Sequence, residues 1–321
     1  MPLPVIALRP VRCRLLLDLR PGAVVAGANG PARIYRWNGE VEASGEITVQ
    51  VRSRLSLELS APVFRGRLTE NEPGMIELQK GFSDSHPTAV FDVDSRQQKA
   101  RKVLAVLEDY LGDLGKLSIL EVGCAAGVGT KVYGARAASV VGIDIDGPAV
   151  LFARARNRAD NIVYCVMDSQ AMGFPDAAFD VVICAHVYEH VPDARRLIGE
   201  LHRVLKKGGV CFFAAGNKWR VIEPHYRLPF LSMVPKPLAH RYLRIAGRGD
   251  CYYENHLSYW RLRELVSPFE IIDYTKRTID FPSAFCATDM LREGSVKHRL
   301  SQFLIRVAYW ACPTFLWLLR K

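Results

Sequence analysis

Between Leu117 and Asn217, short and almost wholly apolar segments alternate with segments whose apolar residues recur at helical spacing. The apolar segments are SILEVG, SVVGIDI, NIVYCVMD, FDVVICAHV and VCFFAAGN. The helical segments between them are GVGTKVYGARA, PAVLFARARN and DARRLIGELHRVLKKGG. Apolar strands joined by amphipathic helices form a parallel sheet that is covered on both faces. The alternation therefore predicts a doubly wound α/β domain.

A longer amphipathic segment, DSRQQKARKVLAVLEDYLGDLG, precedes this alternation and predicts a helix. Asp94 or Ser95 is the expected amino-terminal cap. Gly112 is the expected end of the helix.

The first part of the chain has the pattern of β structure. The Asn38–Gly39 pair predicts a hairpin between two strand-like runs. Over residues 47–59, apolar side chains alternate with polar ones. We therefore expect an antiparallel β unit over residues 1–90 and the α/β domain over residues 91–321.

The last third of the chain departs from the regular alternation. Residues 218–268 form an insert of aromatic, proline and basic residues. Beyond it, FEIIDYTKRTI and TFLWLLRK predict strands, and RLSQFLIRVAYWAC predicts a helix that Pro313 ends. We expect the last strand to be an edge hairpin partner in the sheet. The alternative for this apolar tail is a membrane-surface helix.

The net charge indicates the class of partner, and the cysteine content indicates the cellular compartment. The formal net charge of +10 favours an anionic partner: nucleic acid, a phosphorylated substrate or an acidic membrane face. The eight cysteines are scattered without a CxxC pair, so we expect a reducing, cytoplasmic setting and no metal site. The arginine-rich amino end keeps an organelle transit peptide as an alternative. No uninterrupted apolar segment reaches the roughly 18 residues of a membrane span.

The glycine-rich stretch LEVGCAAGVGT, after the first strand of the alternation, constrains the cofactor. A dinucleotide fingerprint needs GxGxxG, but counting from Gly123 the next two glycine positions hold Ala125 and Val128. The lysine and hydroxyl pair of a phosphate-binding P-loop is also missing. The carboxylate of Glu121 would repel phosphates and attract positive charge. The loop therefore predicts a cofactor with positive charge and no phosphate.

Four motifs in this region resemble those of class I S-adenosylmethionine-dependent methyltransferases, in the type 11 branch that includes quinone-pathway enzymes. ILEVGCAAGVGT is similar to motif I. Asp144 falls 21 residues after Gly123, where the family's acidic residue binds both ribose hydroxyls. Asp168 lies where the family contacts the adenine amino group. FDVVICAHVYEHVPDARRLIGELHRVLKKGGV is similar to the family's fourth strand and following helix.

The resemblance implies a fold, a cofactor and a set of contacts. The fold is a seven-stranded, mostly parallel Rossmann-like sheet, and the cofactor is S-adenosylmethionine. The implied cofactor contacts are Glu121, Gly123, Cys124, Ala125, Gly127, Asp144, Ile145, Asp168, Ser169 and Ala185. Ala125 departs from the family's glycine, and its methyl group is expected to press toward the methionine part of the cofactor. A degenerate fold that binds no cofactor is the alternative.

Histidines supply the candidate catalytic groups, because methyl transfer to a hydroxyl needs a base and histidine is the usual one. His186 and His190 follow the fourth strand, beside the expected methionine group, although the Glu189–His190 pair is mainly structural in many relatives. In the insert, PHYRLPFL brings His225 and Tyr226 together with apolar residues, as a lid over an amphipathic ligand requires. The alternative for the insert is a solvated basic loop packed by its aromatic residues.

The composition of the insert indicates the acceptor. Over residues 218–250, seven basic residues stand against two acidic ones, an excess of five positive charges. This mixture of basic, aromatic and apolar residues favours an anionic, amphipathic acceptor at a membrane surface. We expect O-methylation of a sugar or glycolipid, because the carboxyl half loosely resembles methyltransferases of glycan and glycolipid pathways. The alternatives are a quinone or polyketide-type small molecule and a non-catalytic scaffold that binds S-adenosylmethionine. Nucleic acid is disfavoured, since the sequence has no NPPY-type motif.

Overall fold

The apolar segments of the sequence pair into a single large sheet. The computed structural model describes residues 33–37, 40–44, 83 and 90–321. Its strands are β1 (Arg33–Trp37), β2 (Glu40–Ser44), β3 (Ser118–Val122), β4 (Ser139–Asp144), β5 (Ile162–Val166), β6 (Phe179–Ala185), β7 (Leu205–Gly216), β8 (Ile222–Glu223), β9 (Leu228–Pro229), β10 (Glu270–Asp273) and β11 (Thr314–Arg320). Its α-helices are α1 (Val93–Leu111), α2 (Val128–Gly134), α3 (Gly147–Arg156), α4 (Ala194–Val204), α5 (Lys236–Ile245), α6 (Tyr259–Leu265), α7 (Thr275–Asp280) and α8 (Val296–Val307).

The large sheet has seven strands in the order β10-β11-β7-β6-β3-β4-β5. All neighbours from β7 to β5 are parallel. β11 pairs antiparallel with both β7 and β10, so it alone among the seven runs in the opposite direction. The predicted doubly wound, mostly parallel seven-stranded sheet is confirmed.

Two apolar layers cover the two faces of the sheet. Ile119 of β3 packs in the layer that contains Leu107 of α1. Leu120, the next residue, points to the opposite face and packs in the layer that contains Leu197 of α4. Because both faces are covered by helices, ligands can reach the sheet only at the ends of its strands.

The start of α1 differs from the prediction. Its amino-terminal cap is Asp92, whose Oδ1 accepts a hydrogen bond from the Ser95 backbone N–H at 3.1 Å. The prediction of Asp94 or Ser95 as the cap is wrong, because Asp92 caps the helix and both predicted residues lie within its first turn. Gly112 ends the helix, as predicted.

Tertiary pairing shortens the predicted helix before β7. α4 ends at Val204, and the sequence KKGG belongs to the strand. The Gly208 N–H donates to the Lys321 carbonyl at 3.0 Å, and the Lys321 N–H donates to the Gly209 carbonyl at 3.1 Å. These bonds to the end of the chain extend β7 at the expense of the helix.

The last elements of the sheet also differ in detail from the prediction. Only the first part of FEIIDYTKRTI is a strand, β10, and the second part is α7. The change occurs where Asp273 Oδ1 accepts a hydrogen bond from the Thr275 N–H at 2.8 Å. β11 lies between β7 and β10, so the prediction of an edge position for it is wrong.

The insert consists of two parts. Residues Leu231, Ala239, Leu243 and Tyr252 form a small apolar core of its own. Leu262 of α6 packs instead in the main core of the sheet domain. The amino-terminal part of the insert is therefore a separate layer, and its carboxyl-terminal helix belongs to the domain.

The predicted hairpin in the first part of the chain is confirmed, since β1 and β2 are antiparallel and Trp37 pairs with Glu40. The alternating segment 47–59 lies outside the described residues. The seven cysteines in the described part of the chain are unpaired thiols. Within that part, no helix is both long and apolar enough to cross a membrane.

Candidate active site

The glycine-rich loop lies at the carboxyl ends of the central strands. The backbone N–H groups of Gly123 and Cys124 both donate to the Ile143 carbonyl, at 2.8 and 3.0 Å, so the loop crosses the end of β4. A Cβ atom on Gly123 would lie 2.8 Å from Cγ2 of Val187, so the loop also touches the segment after β6. Open α/β sheets bind ligands at this edge.

Gly127 joins the loop to α2. Its φ of 74° lies in the left-handed region. A Cβ atom there would lie 2.7 Å from the Ala153 Cβ and from the Tyr164 ring. The Tyr164 hydroxyl donates to the Gly127 carbonyl at 3.1 Å. Both the backbone conformation and the lack of space therefore require glycine.

Glu121 is buried beneath the loop and is not displayed on its surface. Its carboxylate accepts a hydrogen bond from the Thr130 hydroxyl. A Cβ atom on Gly129 would lie 2.7 Å from Glu121 Oε1, so this glycine leaves room for the carboxylate. Burial raises the pKa of Glu121 to about 8, against the opposing effects of the Thr130 hydrogen bond and the Arg96 charge. Glu121 supports the loop from below.

Asp144 ties the loop to the end of β4. Its Oδ2 accepts a hydrogen bond from the Ala125 N–H at 2.7 Å, and its Oδ1 accepts one from the Asp146 N–H at 3.0 Å. Burial raises its pKa, although these two hydrogen bonds lower it. A carboxylate has about four acceptor positions, so two remain for hydroxyl groups of a ligand.

Ala125 has a left-handed backbone with a φ of 46°. This conformation costs a residue with a Cβ atom about 1–2 kcal/mol, which explains why glycine is usual at this position. The hydrogen bond to Asp144 helps to hold it. The methyl group packs against the small apolar cluster of Val90, Ala126 and Ala149. The structure thus gives this methyl group a packing partner within the protein, which the sequence prediction does not foresee.

The remaining predicted cofactor contacts lie on the same edge. Cys124 is buried, and burial raises the pKa of its thiol well above the usual value, as suits a packing residue. The Met167 N–H donates to the Asp144 carbonyl at 2.9 Å, which brings the end of β5 next to β4. Asp168 Oδ1 accepts a hydrogen bond from the Gln170 N–H at 2.9 Å. Three further residues are half-buried: Ile145, Ser169 and Ala185.

Arg96 of α1 belongs to this site although it lies outside every sequence motif. Its positive charge opposes the upward shift that burial gives to the pKa values of Glu121 and Asp144. Burial lowers its own pKa, against the effect of these two carboxylates. Only the packing of α1 on the sheet reveals this residue, because a single arginine in an amphipathic helix is usually a solvated side chain.

A second polar group, which we call the histidine–glutamate cluster, lies between the segment after β6 and the insert. Its members are His186, Glu189, His190, Glu223, His225, Glu254 and His256. The Asn255 N–H donates to the Glu189 carbonyl at 2.8 Å, which joins the two segments. The cluster thus forms only when the insert folds over the end of the sheet.

His186 and Glu189 form a pair at the exposed side of the cluster. His186 Nδ1 lies 3.3 Å from Glu189 Oε1; the histidine side chain is 45% exposed and the glutamate side chain is fully buried. The His186 backbone is left-handed, with a φ of 57°. Burial alone would raise the pKa of Glu189, but the hydrogen bond and the charges of the surrounding histidines lower it to about 2. Glu189 is therefore ionised and orients the imidazole.

His190 and His225 lie deeper in the cluster, with ring centroids 4.8 Å apart. Burial lowers the pKa of His190 to about 4, against the effect of Glu189, so this histidine is neutral at pH 7. His225 Nδ1 lies 2.7 Å from Glu223 Oε1. Burial lowers the pKa of His225, but Glu223 and Glu254 outweigh it and the net shift is upward.

Tyr226 differs from the three candidate histidines. Its hydroxyl donates to the Cys251 carbonyl at 3.3 Å, and its ring packs on Tyr252 in the core of the insert. The structure thus brings His186, His190 and His225 together and places the Tyr226 hydroxyl within the insert. Glu223, Glu254 and His256 are cluster members that the sequence interpretation misses. Their signal is a repeated Glu-x-His spacing, in EPH and ENH.

In a comparison with known protein families, residues 120–213 match the family described as a methyltransferase domain. The chain is 30% identical to a ubiquinone biosynthesis O-methyltransferase of Nitrosomonas europaea over 118 residues, which are 36% of this chain and 50% of that protein. It is 34% identical to the protein of the same name from Psychrobacter arcticus, over 34% of this chain and 44% of that protein. The chain thus spans about half the length of the curated relatives it matches.

Among solved structures, the chain is similar to an S-adenosylmethionine-dependent methyltransferase from Mesorhizobium loti. The identity is 17%, the TM-score is 0.46, and the alignment covers 68% of this chain and 98% of that chain.

Replacing Gly127 by alanine should destabilise the protein. The left-handed φ and the clash with Ala153 and Tyr164 together should lower the free energy of unfolding by about 2–5 kcal/mol in urea denaturation. Gly147→Ala is the matched control, because a Cβ atom there has nothing within 4 Å. Equal stabilities of the two variants would contradict this account of the loop.

Glu121→Gln should change how stability depends on pH. The native state keeps a proton on Glu121 up to about pH 8, whereas the unfolded chain releases it above the ordinary value of 4.5. The free energy of unfolding of the wild type should therefore fall by roughly a few kcal/mol as the pH rises from 5 to 8. The variant lacks this loss, because glutamine does not ionise. Urea denaturation at both pH values should show the variant gaining on the wild type, while the exposed-site control Asp160→Asn follows the wild type. If the free energy of unfolding of Glu121→Gln changed with pH as that of the wild type does, Glu121 would not be protonated in the native state.

Proposed function

We propose that this chain, whose residues 120–213 belong to the type 11 methyltransferase-domain family, is an O-methyltransferase that acts on a quinone-type small molecule. The cofactor of this domain is S-adenosylmethionine. The observation that carries the proposal is the exposed His186, held by the buried Glu189 beside the glycine-rich loop.

The residues at the loop fit a cofactor with positive charge and no phosphate. When bound, S-adenosylmethionine would supply its sulfonium-bound methyl group for transfer to an acceptor oxygen, with the neutral thioether as the leaving group. The two free acceptor positions of Asp144 suit the two ribose hydroxyls. The negative potential of Asp144 suits the sulfonium and ammonium groups. Arg96, beside these carboxylates, would attract the cofactor's own carboxylate.

His186 is the proposed general base. Its Nδ1–H donates to the ionised Glu189, which leaves the lone pair of Nε2 to accept the proton of an acceptor hydroxyl. Glu189 then stabilises the imidazolium, as the carboxylate of a catalytic triad does. Val187, the next residue, touches the backbone of Gly123, so the base lies beside the cofactor loop. His190 is a weaker candidate, because a base with a pKa of about 4 has little affinity for a proton at pH 7.

Two observations favour a quinone-type acceptor over the sugar or glycolipid that the sequence analysis puts first. The relatives that match are named for O-methylation in ubiquinone biosynthesis. In addition, Trp219 and Trp260 both pack on Trp310, and Trp219 follows the carboxyl end of β7, at the same edge as the cluster. Aromatic surfaces bind an aromatic ring with an apolar tail. A phenolic hydroxyl, with a pKa of about 10, also gives its proton to histidine more readily than a sugar hydroxyl does.

His186→Ala should lower kcat by about 10²–10⁴-fold with little change in cofactor binding, because only proton removal is lost. The measurement is mass-spectrometric detection of the methylated product from S-adenosylmethionine and a polyprenyl-substituted dihydroxybenzene, with cofactor affinity from calorimetry. His202→Ala on α4 is the control and should retain wild-type turnover. Full activity of His186→Ala would remove histidine 186 as the base. Methylation of a lipid-linked sugar but not of the phenol would return the acceptor to the sugar class.

We include in the proposal a peripheral membrane contact through α8. The apolar residues Val296, Leu300, Phe303 and Val307 recur on one helical face and are 84%, 54%, 60% and 61% exposed. The helix also carries three basic residues, Lys297, Arg299 and Arg306, and no acidic one. Such a helix fits the interface of an anionic bilayer. A quinone precursor with a polyprenyl tail would be found in the same bilayer.

Leu300→Glu combined with Phe303→Glu should abolish binding to phosphatidylglycerol vesicles, since two carboxylates cannot enter the apolar layer beneath the head groups. Vesicle co-sedimentation should show at least tenfold less bound protein, and wild-type binding should weaken as salt rises. Ile245→Glu on α5 is the matched control, because Ile245 is 75% exposed and lies outside α8. If the double variant binds vesicles as the wild type does, α8 is not the contact.

A further inference from the structure

We propose that His190, His225 and Glu254 bind a divalent transition-metal ion of the zinc class. One nitrogen or oxygen atom from each residue lies within 4.8 Å of those of the other two. Two imidazole nitrogens and one carboxylate oxygen are the ligands that zinc and its neighbours in the first transition series prefer. A site of this kind differs from the sequence prediction, which includes no metal.

Buried polar atoms in the cluster support the site. Glu254 Oε2 and His256 Nδ1 have no hydrogen-bond partner among the described residues, and both are shielded from water. The Glu254 side chain is 6% exposed and that of His256 is fully buried. Buried polar groups almost always have partners, because an unsatisfied one costs free energy. A cation among them would supply a partner for Glu254.

Glu223 orients His225 as a metal ligand. Its Oε1 lies 2.7 Å from His225 Nδ1, and its Oε2 accepts hydrogen bonds from the backbone N–H groups of His225 and Tyr226, at 2.8 and 2.9 Å. A proton on Nδ1, donated to Glu223, leaves the lone pair of Nε2 for a metal. Histidines that bind metals commonly donate their other N–H to a carboxylate in this way. Glu223 is thus a positioning residue.

A second arrangement, Glu223 with His225 and His256, shares one histidine with the first. It is less favourable, because it would replace the hydrogen bonds that Glu223 already makes. Glu254 Oε2, in contrast, has no such bond to lose among the described residues. The geometry therefore favours Glu254 as the carboxylate ligand.

The ion would have open positions for oxygen ligands. Three protein ligands leave at least one position of a zinc-class ion for water or a substrate oxygen. Such an ion lowers the pKa of a bound hydroxyl and fixes its position. This role, unlike the binding itself, rests on the proposed function, in which His186 accepts the proton of a neighbouring hydroxyl.

Metal titration of the full-length chain tests the site. The chelator-treated protein is titrated with ZnCl₂ by calorimetry and with CoCl₂ by visible absorption. We expect the wild type to bind one Zn²⁺ at this site. His190→Ala, His225→Ala and Glu254→Gln should each bind Zn²⁺ at least tenfold more weakly than the wild type. His202→Ala should bind as the wild type does. Glu223→Gln keeps all three ligands and should weaken binding by about 10–100-fold, as expected for a positioning residue.

Thermal melting monitored by circular dichroism shows whether each variant is folded. In the folded wild-type chain, Co²⁺ should give d–d absorption bands that Glu254→Gln alters. The absence of saturable Zn²⁺ and Co²⁺ binding by the wild type, or equal affinity in folded wild-type and ligand variants, overturns the proposal. Zn²⁺ binding without methylation of any phenol would leave this site standing and count against the proposed function alone. Methylation of a phenol by a chain that binds no metal would overturn the metal site and leave the proposed function standing.

Discussion

The common direction of β3, β4 and β6 is the constraint on which the candidate site depends. Parallel strands end at one edge of a sheet, so Glu121, Asp144 and His186 all lie towards that edge although they are far apart in the chain. Helices cover both faces, and this edge is where the loop crosses from one strand to the next. The hydrogen bond from the Ala125 N–H to Asp144 then fixes the loop on the second strand. Reversing β3 or β4 would separate the loop from its carboxylate, and reversing β6 would move His186 away from this edge.

Two buried glutamates show how partners decide the charge of a carboxylate. Burial raises the pKa of Glu121 to about 8, because one hydroxyl and one arginine are too few to offset desolvation. Glu189 is just as buried, yet its pKa falls to about 2, because the hydrogen bond to His186 and the charges of three histidines outweigh desolvation. The loop is thus supported by a glutamate that holds its proton at neutral pH, and the histidine–glutamate cluster contains one that does not.

The strands and the loop were predictable because their signals are local. Apolar runs between amphipathic segments predict a parallel sheet, and the glycine-rich loop is a short continuous stretch of sequence. The contacts that require its glycines are not all local, since Gly127 packs against Ala153 and Tyr164. The ends of elements were less predictable, since distant partners decide them: β7 gains its first residues from bonds to Lys321. Arg96 was not predictable as a site residue, because it belongs to no local pattern that marks function. The Glu-x-His spacing singles out Glu254, but it does not show which side chains Glu254 meets.

The sequence by itself determined the doubly wound sheet, because hydrophobic periodicity is a property of neighbouring residues, and the order of its motifs indicated the class of cofactor through resemblance to a family. The tertiary structure alone decided which side chains share a site. His190, His225 and Glu254 come from three separate segments of the chain, and they lie close together because the insert folds over the sheet, where the Asn255 N–H donates to the Glu189 carbonyl. Their closeness is a consequence of packing between distant segments, which no local pattern records.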